Sequence, residues 1–166
     1  MSSRALSYNA NDGFACDAVY ADPQPRVEIA QTLHCGRLLE KRVQDVPFEL
    51  FTSLEAGDVL FVDTSHVVKL QSDVVYELGT ILPSLKPGVW IHFHDVFTPY
   101  DYPLEWVTNY LFSDNEQYAL EALLSGGDRY SVELPLYLLW KEHFALMQKF
   151  FPRGRLRAQG FWIRKQ

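Results

Sequence analysis

The sequence predicts a layered α/β fold with parallel strands, and three observations carry that expectation. Short, unbroken apolar runs alternate with stretches whose apolar residues recur at helical spacing. The two clearest runs, Asp58-Val-Leu-Phe-Val-Asp63 and Val89-Trp-Ile-His-Phe-His94, are separated by one such helical stretch. Two strands joined that way run parallel and need a crossover. Finally, 166 residues with 48% hydrophobic content can bury a core without disulfides or a structural metal. A single domain over residues 1–166 is expected.

Residues 18–21 form the first apolar run, stopped by Asp22-Pro-Gln-Pro25 because two prolines cannot continue a ladder. Residues 37–46 predict a second strand ending at Asp45, and 48–54 a short helix. Gly57 punctuates the start of the strand 58–63, whose unbroken apolar run predicts a central strand covered on both faces. From Leu70 onward, Val74, Val75, Leu78, Ile81, Leu82 and Leu85 fall on one helical stripe, ended by Lys86-Pro-Gly88. In the strand 89–94, His92 and His94 share a face, while Asp95 points the other way or lies just past the strand end. Residues 102–112 read as a helix, and Ser113-Asp-Asn-Glu116 has capping-box spacing for another, running to Leu124. A strand over 130–134, an amphipathic helix over 136–151 and a last strand over 160–164 complete the order.

The formal net charge of −6 would repel a phosphate backbone, so no nucleic-acid partner is expected. The run Arg153, Arg155, Arg157, Arg164 and Lys165 reads as a solvated rim. Cys16 and Cys35 have neither metal-ligand spacing nor the density of a secreted scaffold, which suits a reducing compartment. No run approaches the ~18 apolar residues of a membrane span, and none follows Met1-Ser-Ser-Arg as a signal peptide would. A soluble cytoplasmic protein is the resulting expectation.

In open α/β sheets, ligands collect at the carboxyl ends of the strands. Asp22, Asp45, Asp63 with His66, and His94 with Asp95 all fall at such ends. Asp63 to His66 and His94-Asp95 close neighbouring strands, so their side chains can converge into an acid/base site or a metal site. Asp22 can hold a ribose diol or simply serve as a turn residue ahead of Pro23. His92, in mid-strand, reads as a core histidine, and Ser65 lacks the elbow of a hydrolase nucleophile. Tyr100, Tyr102 and Trp106 either wall a pocket or anchor a helix.

The ordered set Val62-Asp63-Thr-Ser-His66, Asp73, Leu85-Lys-Pro-Gly88 and Phe93-His94-Asp95 resembles class I S-adenosylmethionine-dependent methyltransferases of the small-molecule branch labelled family 24. The resemblance extends upstream to Asp22-Pro-Gln-Pro-Arg26 and downstream to Tyr102-Pro-Leu-Glu-Trp106 and Asn115-Glu-Gln-Tyr118. It implies a Rossmann-like three-layer sandwich and methyl transfer from S-adenosylmethionine to a small-molecule hydroxyl or similar nucleophile. By the same resemblance, Asp22, Asp45 and Asp63 contact the cofactor, and His66, His94 and Asp63 are catalytic. Asp63, Asp95 and His94 would hold Mg²⁺ or another divalent metal, with a histidine in place of one carboxylate.

No strand and glycine-rich turn of the family's opening type precedes residue 15, so the domain reads as partial and N-terminally truncated, beginning after the first strand. That motivates a second reading, a catalytically degenerate relic kept as a binding protein. An exposed sheet edge would favour a homodimer. A metal hydrolase using Asp63, His66, His94 and Asp95 is a third reading.

Overall fold

The computed structural model describes residues 17–25, 36–152 and 157–166. The chain divides into two compact units, Met1–Pro47 and Phe48–Gln166.

In the first unit, β1 (Val19–Ala21) and β2 (Arg37–Leu39) pair in parallel, with Tyr20 opposite Leu38. Gly36 makes the pairing possible, because a Cβ there would lie 2.6 Å from the Ala18 carbonyl oxygen and its φ is +103°. The strand expected over 37–46 stops at Leu39, and Val43–Asp45 form a 3₁₀ turn. The cause is local: Arg42 donates to both oxygens of Asp45, at 2.8 and 3.2 Å, which a helical turn permits and an extended chain does not. Asp45 therefore ends a turn and not a strand.

The second unit opens with α1 (Glu49–Thr52) and holds a four-stranded mixed sheet in the order β3-β4-β6-β5. Its strands are β3 (Val59–Val62), β4 (Trp90–His94), β5 (Tyr130–Pro135) and β6 (Gly160–Lys165). β3 and β4 are parallel, as expected, and β6 runs antiparallel between β4 and β5. Among the described residues β3 is an edge strand, with Val59 48% exposed and only Val62 buried, so the central place belongs to β4. An apolar run marks a strand that packs, but it does not tell which side its ladder continues on.

The connection from β3 to β4 is helical but not uniform. α2 (Asp73–Tyr76) passes into a π-turn over Glu77–Ile81 and then into α3 (Leu82–Ser84). Pro83 explains the change of pitch. It has no N–H, and its ring would press on the carbonyl four residues back, so the turn before it widens and Leu82 N–H bonds to Glu77 O. Val74, Ile81 and Leu82 from this segment are fully buried, as are Ile91, Phe93 and Ile163 of the sheet. These side chains make the core.

On the other face of β4, His92 stacks on Phe61 of β3, with ring centroids 4.2 Å apart, and lies 4.6 Å from Trp162 of β6. Gly160, opposite His94 in register, leaves room for this ring, since a Cβ there would come 2.5 Å from His92 Cε1.

The remaining helices are α4 (Leu104–Thr108), α5 (Glu116–Ser125), α6 (Leu136–Glu142) and α7 (Phe144–Phe150). The helix expected over 102–112 is thus shorter. That expected over 136–151 breaks at His143, whose φ and ψ of −126° and 37° leave the helical region. Trp140 and Phe144 still meet edge-on across the break, 6.1 Å apart, which is why the apolar stripe runs on without a gap. Among the described residues, no helix is long and apolar enough to cross a membrane. Of the basic run near the end, Arg157 pairs with Glu105 and Arg164 with Glu133, so neither stands as a free cation; Arg153 and Arg155 lie outside the described residues.

Candidate functional site

The parallel register of β3 and β4 sets Val62 beside Phe93, so the residues that follow each strand emerge at one end of the sheet. Asp63 to His66 leave β3 there, and His94-Asp95 close β4. His66 and Asp95 both adopt left-handed backbone, with φ of 56° and 58°. Strain of this kind persists only where surrounding bonds impose it.

Those bonds are visible residue by residue. Thr64 Oγ1 donates to Glu77 Oε2 at 3.1 Å. Ser65 donates from its amide and its hydroxyl to Asp73, at 2.8 and 2.5 Å. His66 O accepts the amides of Asn115 and Glu116, at 2.9 and 3.1 Å, so the start of α5 is capped by this loop. His66 Nδ1 donates to Glu116 Oε2 at 2.9 Å. Three acidic side chains from separate turns of helix thus hold three successive residues, and the Ser65 hydroxyl is committed as a donor.

The opposite nitrogen of His66, Nε2, lies 3.4 Å from Asp63 Oδ1 and 3.8 Å from Asp95 Oδ2. Burial alone would lower the His66 pKa, but hydrogen bonds to Asp63 and Glu116, with the charges of Glu116 and Asp95, outweigh it and raise the value to about 10. The hydrogen bond from His66 in turn lowers the Asp63 carboxyl below its ordinary value. His66 is therefore an imidazolium across the neutral range, and in that state it cannot take a proton from a substrate.

His94 differs. Its side chain is 38% exposed, and Nδ1 sits 2.9 Å from Asp95 Oδ1 and 3.9 Å from Asp63 Oδ1. The contact with Asp95 raises its pKa against the smaller effect of burial. His92, only 6% exposed, is lowered to about 4 by burial and by the charge of His94, so it stays neutral inside the aromatic stack.

Asp63, His66, His94 and Asp95 thus converge. Among the described residues, Asp63, His66 and Asp95 make a set of potential metal ligands whose donor atoms all lie within 4.8 Å of one another. The donor set fits a divalent cation: two carboxylates and an imidazole whose second nitrogen is already tied to a carboxylate.

Asp22 and Asp45 lie in the first unit. Asp22 follows β1, its amide bonded to Leu39 O and its Oδ1 accepting from Gln24 N at 2.8 Å. Tyr102 and Trp106 pack edge-on against Phe97, with centroids 5.7 and 5.1 Å away, and so serve as anchors. Glu116 is the site residue that sequence reasoning missed. Its position suggested a capping box, yet Asn115 is the N-cap without a side-chain cap bond, and Glu116 reaches His66 instead.

A family model described as a methyltransferase domain matches residues 1–96 of the chain. Neither a curated protein nor a solved structure matches it.

Proposed function

The chain belongs to the methyltransferase-domain family, and from that premise we propose that it moves the methyl group of S-adenosylmethionine to a hydroxyl, or similar nucleophile, of a small molecule. The matched segment covers the first compact unit and the opening part of the second, and on our reading residues 1–166 make one Rossmann-like domain of the class I type. The observation that carries the reading is the convergence of Asp63, His66, His94 and Asp95 at the carboxyl ends of the parallel strands β3 and β4.

S-adenosylmethionine supplies a methyl group on a sulfonium, open to in-line displacement. As the C–S bond breaks and the O–C bond forms, a neutral thioether leaves and the acceptor's proton must go to a base. His94 is the group we assign to that proton, because it is half-exposed and Asp95 supports the cation it becomes. His66, already protonated, orients Asp63 and holds the loop. Asp22, with a carboxylate at the end of β1, fits a ribose diol. Both oxygens of Asp45 are engaged by Arg42, so an adenine amino group would have to share them.

Isothermal titration of the chain with S-adenosylmethionine tests the reading. Micromolar binding is expected, and no measurable binding would leave the fold as a relic without a donor. With an acceptor in hand, His94→Gln should lower the transfer rate by roughly 10²-fold or more while cofactor affinity stays unchanged.

A further inference from the structure

We infer that the cavity bounded by α6, α7 and the residues just ahead of β6 seats the methyl acceptor, and that this acceptor is a phenol, one aromatic ring carrying the hydroxyl to be methylated. The inference rests on the methyl-transfer reading and names its substrate class. None of the cavity's residues falls in the family-matched segment 1–96.

One apolar stripe makes most of the lining. Leu136, Trp140, Phe144, Met147 and Phe151 recur at helical spacing through α6 and α7, and Ala158 completes the wall. Alanine is the smallest side chain of the set, and its shortness helps to leave the space open.

Size and chemistry select the occupant. The cavity holds about 190 Å³, and an apolar cavity of roughly 150 Å³ takes benzene. One ring with a small substituent fits. Gln148 is the only polar residue in the lining and no charged side chain takes part, so a sugar or a phosphate ester would lose water there without gaining partners. Trp140, Phe144 and Phe151 offer aromatic walls. Edge-on and offset contacts between rings are worth about two- to tenfold in affinity beyond the area buried, which favours an aryl group over an alkyl chain.

Strand register brings the cavity to the reacting end of the sheet. β6 sets Phe161 against both Phe93 and Pro135, so one residue further on His94, Gly160 and Leu136 share a level. Leu136 Cδ1 and His92 Cε1 would lie 3.0 and 2.5 Å from a Cβ on Gly160, so both cover the same face. His94, two residues on from His92, belongs to that face as well. The Val96 amide bonds to Gln159 O at 3.3 Å, which ties the segment after Asp95 to the neighbour of Ala158.

A phenol also suits the base. Its hydroxyl ionises near 10, about as tyrosine's does, so a single imidazole can take the proton as the transition state forms. The phenol oxygen bonds to the methyl carbon, the C–S bond breaks with its electron pair going to sulfur, and the phenolic proton passes to His94.

The test is titration of the full chain with para-fluorophenol, without S-adenosylmethionine, followed by fluorine NMR. One site per chain with a dissociation constant of about 1 mM or tighter is expected, and cyclohexanol and hexanol should each bind about two- to tenfold more weakly. Ala158→Leu should weaken binding about tenfold or more by filling the space, and Phe144→Ala about two- to tenfold by removing an aromatic wall. Val107→Ser, at an exposed apolar position outside the lining, should leave it unchanged. Circular dichroism identifies a variant that fails to fold, and the other still decides. No binding by the wild-type chain, equal binding of hexanol, undiminished binding in folded Ala158→Leu or Phe144→Ala, or loss of binding in Val107→Ser would each overturn the inference. Adding S-adenosylmethionine separates the two readings, with para-fluoroanisole as the expected product. A donor that does not bind sinks the methyl-transfer reading while the phenol titration still stands, whereas donor and phenol that both bind without product overturn the cavity's role as the acceptor site.

Discussion

His66 carries a proton that the bare imidazole would shed in neutral water, because Asp63 and Glu116 stand on its two nitrogens. The pair of contacts also decides which ring atom faces the cluster. Replacing Glu116 with Gln removes one negative charge from a group that is almost wholly buried. In the metal-free chain, the His66 pKa should therefore fall from about 10 towards the ordinary histidine value, as followed by an NMR titration of the imidazole resonances. A His66 resonance that titrates unchanged in Glu116→Gln would mean that the contact does not govern the charge.

Among the elements, β3 and β4 were legible because each is an apolar run bounded by turn residues, and β6 because Gly160 opens it. The interruptions were not legible. Pro83 announces a disturbance, but a π-turn at Glu77 and a clean break would look alike in the apolar pattern. His143 breaks a stripe that continues through Trp140 and Phe144 on either side. In the site, Asp63, His66, His94 and Asp95 could be read from strand ends, whereas Glu116 meets His66 across 50 residues by tertiary packing, which no local spacing encodes. The aromatic face offers a test at this scale. His92 is held between Phe61 and Trp162 and cannot move aside, so the methyl group of Gly160→Ala should destabilise the fold by about 1–3 kcal/mol, read as a lower denaturation midpoint at unchanged slope.

For the whole molecule, buried ionisable groups shape stability against pH. Burial, and then the charge of Glu116, raise Glu77 from 4.5 to about 8. Between those values the unfolded chain has lost its proton while the folded chain keeps it, so stability falls as pH rises through the window. His92 acts with the opposite sign: lowered from 6.5 to about 4, it makes stability fall as pH drops through that range. The two oppose one another at mildly acid pH. Above 6.5 the Glu77 effect runs together with that of His66, whose proton is lost only at about 10. Glu77→Gln should accordingly raise stability at pH 8 more than at pH 5, and flatten the decline between pH 6.5 and 8 in chemical denaturation. An equal gain at both pH values would sink this account.

The loop after β3 also fixes how the molecule breathes. Thr64, Ser65 and His66 are each fastened to a different helical turn, and His66 O in turn caps α5. Freeing one of these residues leaves the others fastened, so the segment is expected to open as a unit. The amides of Ser65, Asn115 and Glu116 should therefore exchange with deuterium as slowly as those of β4, in one cooperative step, although Ser65 lies at the surface.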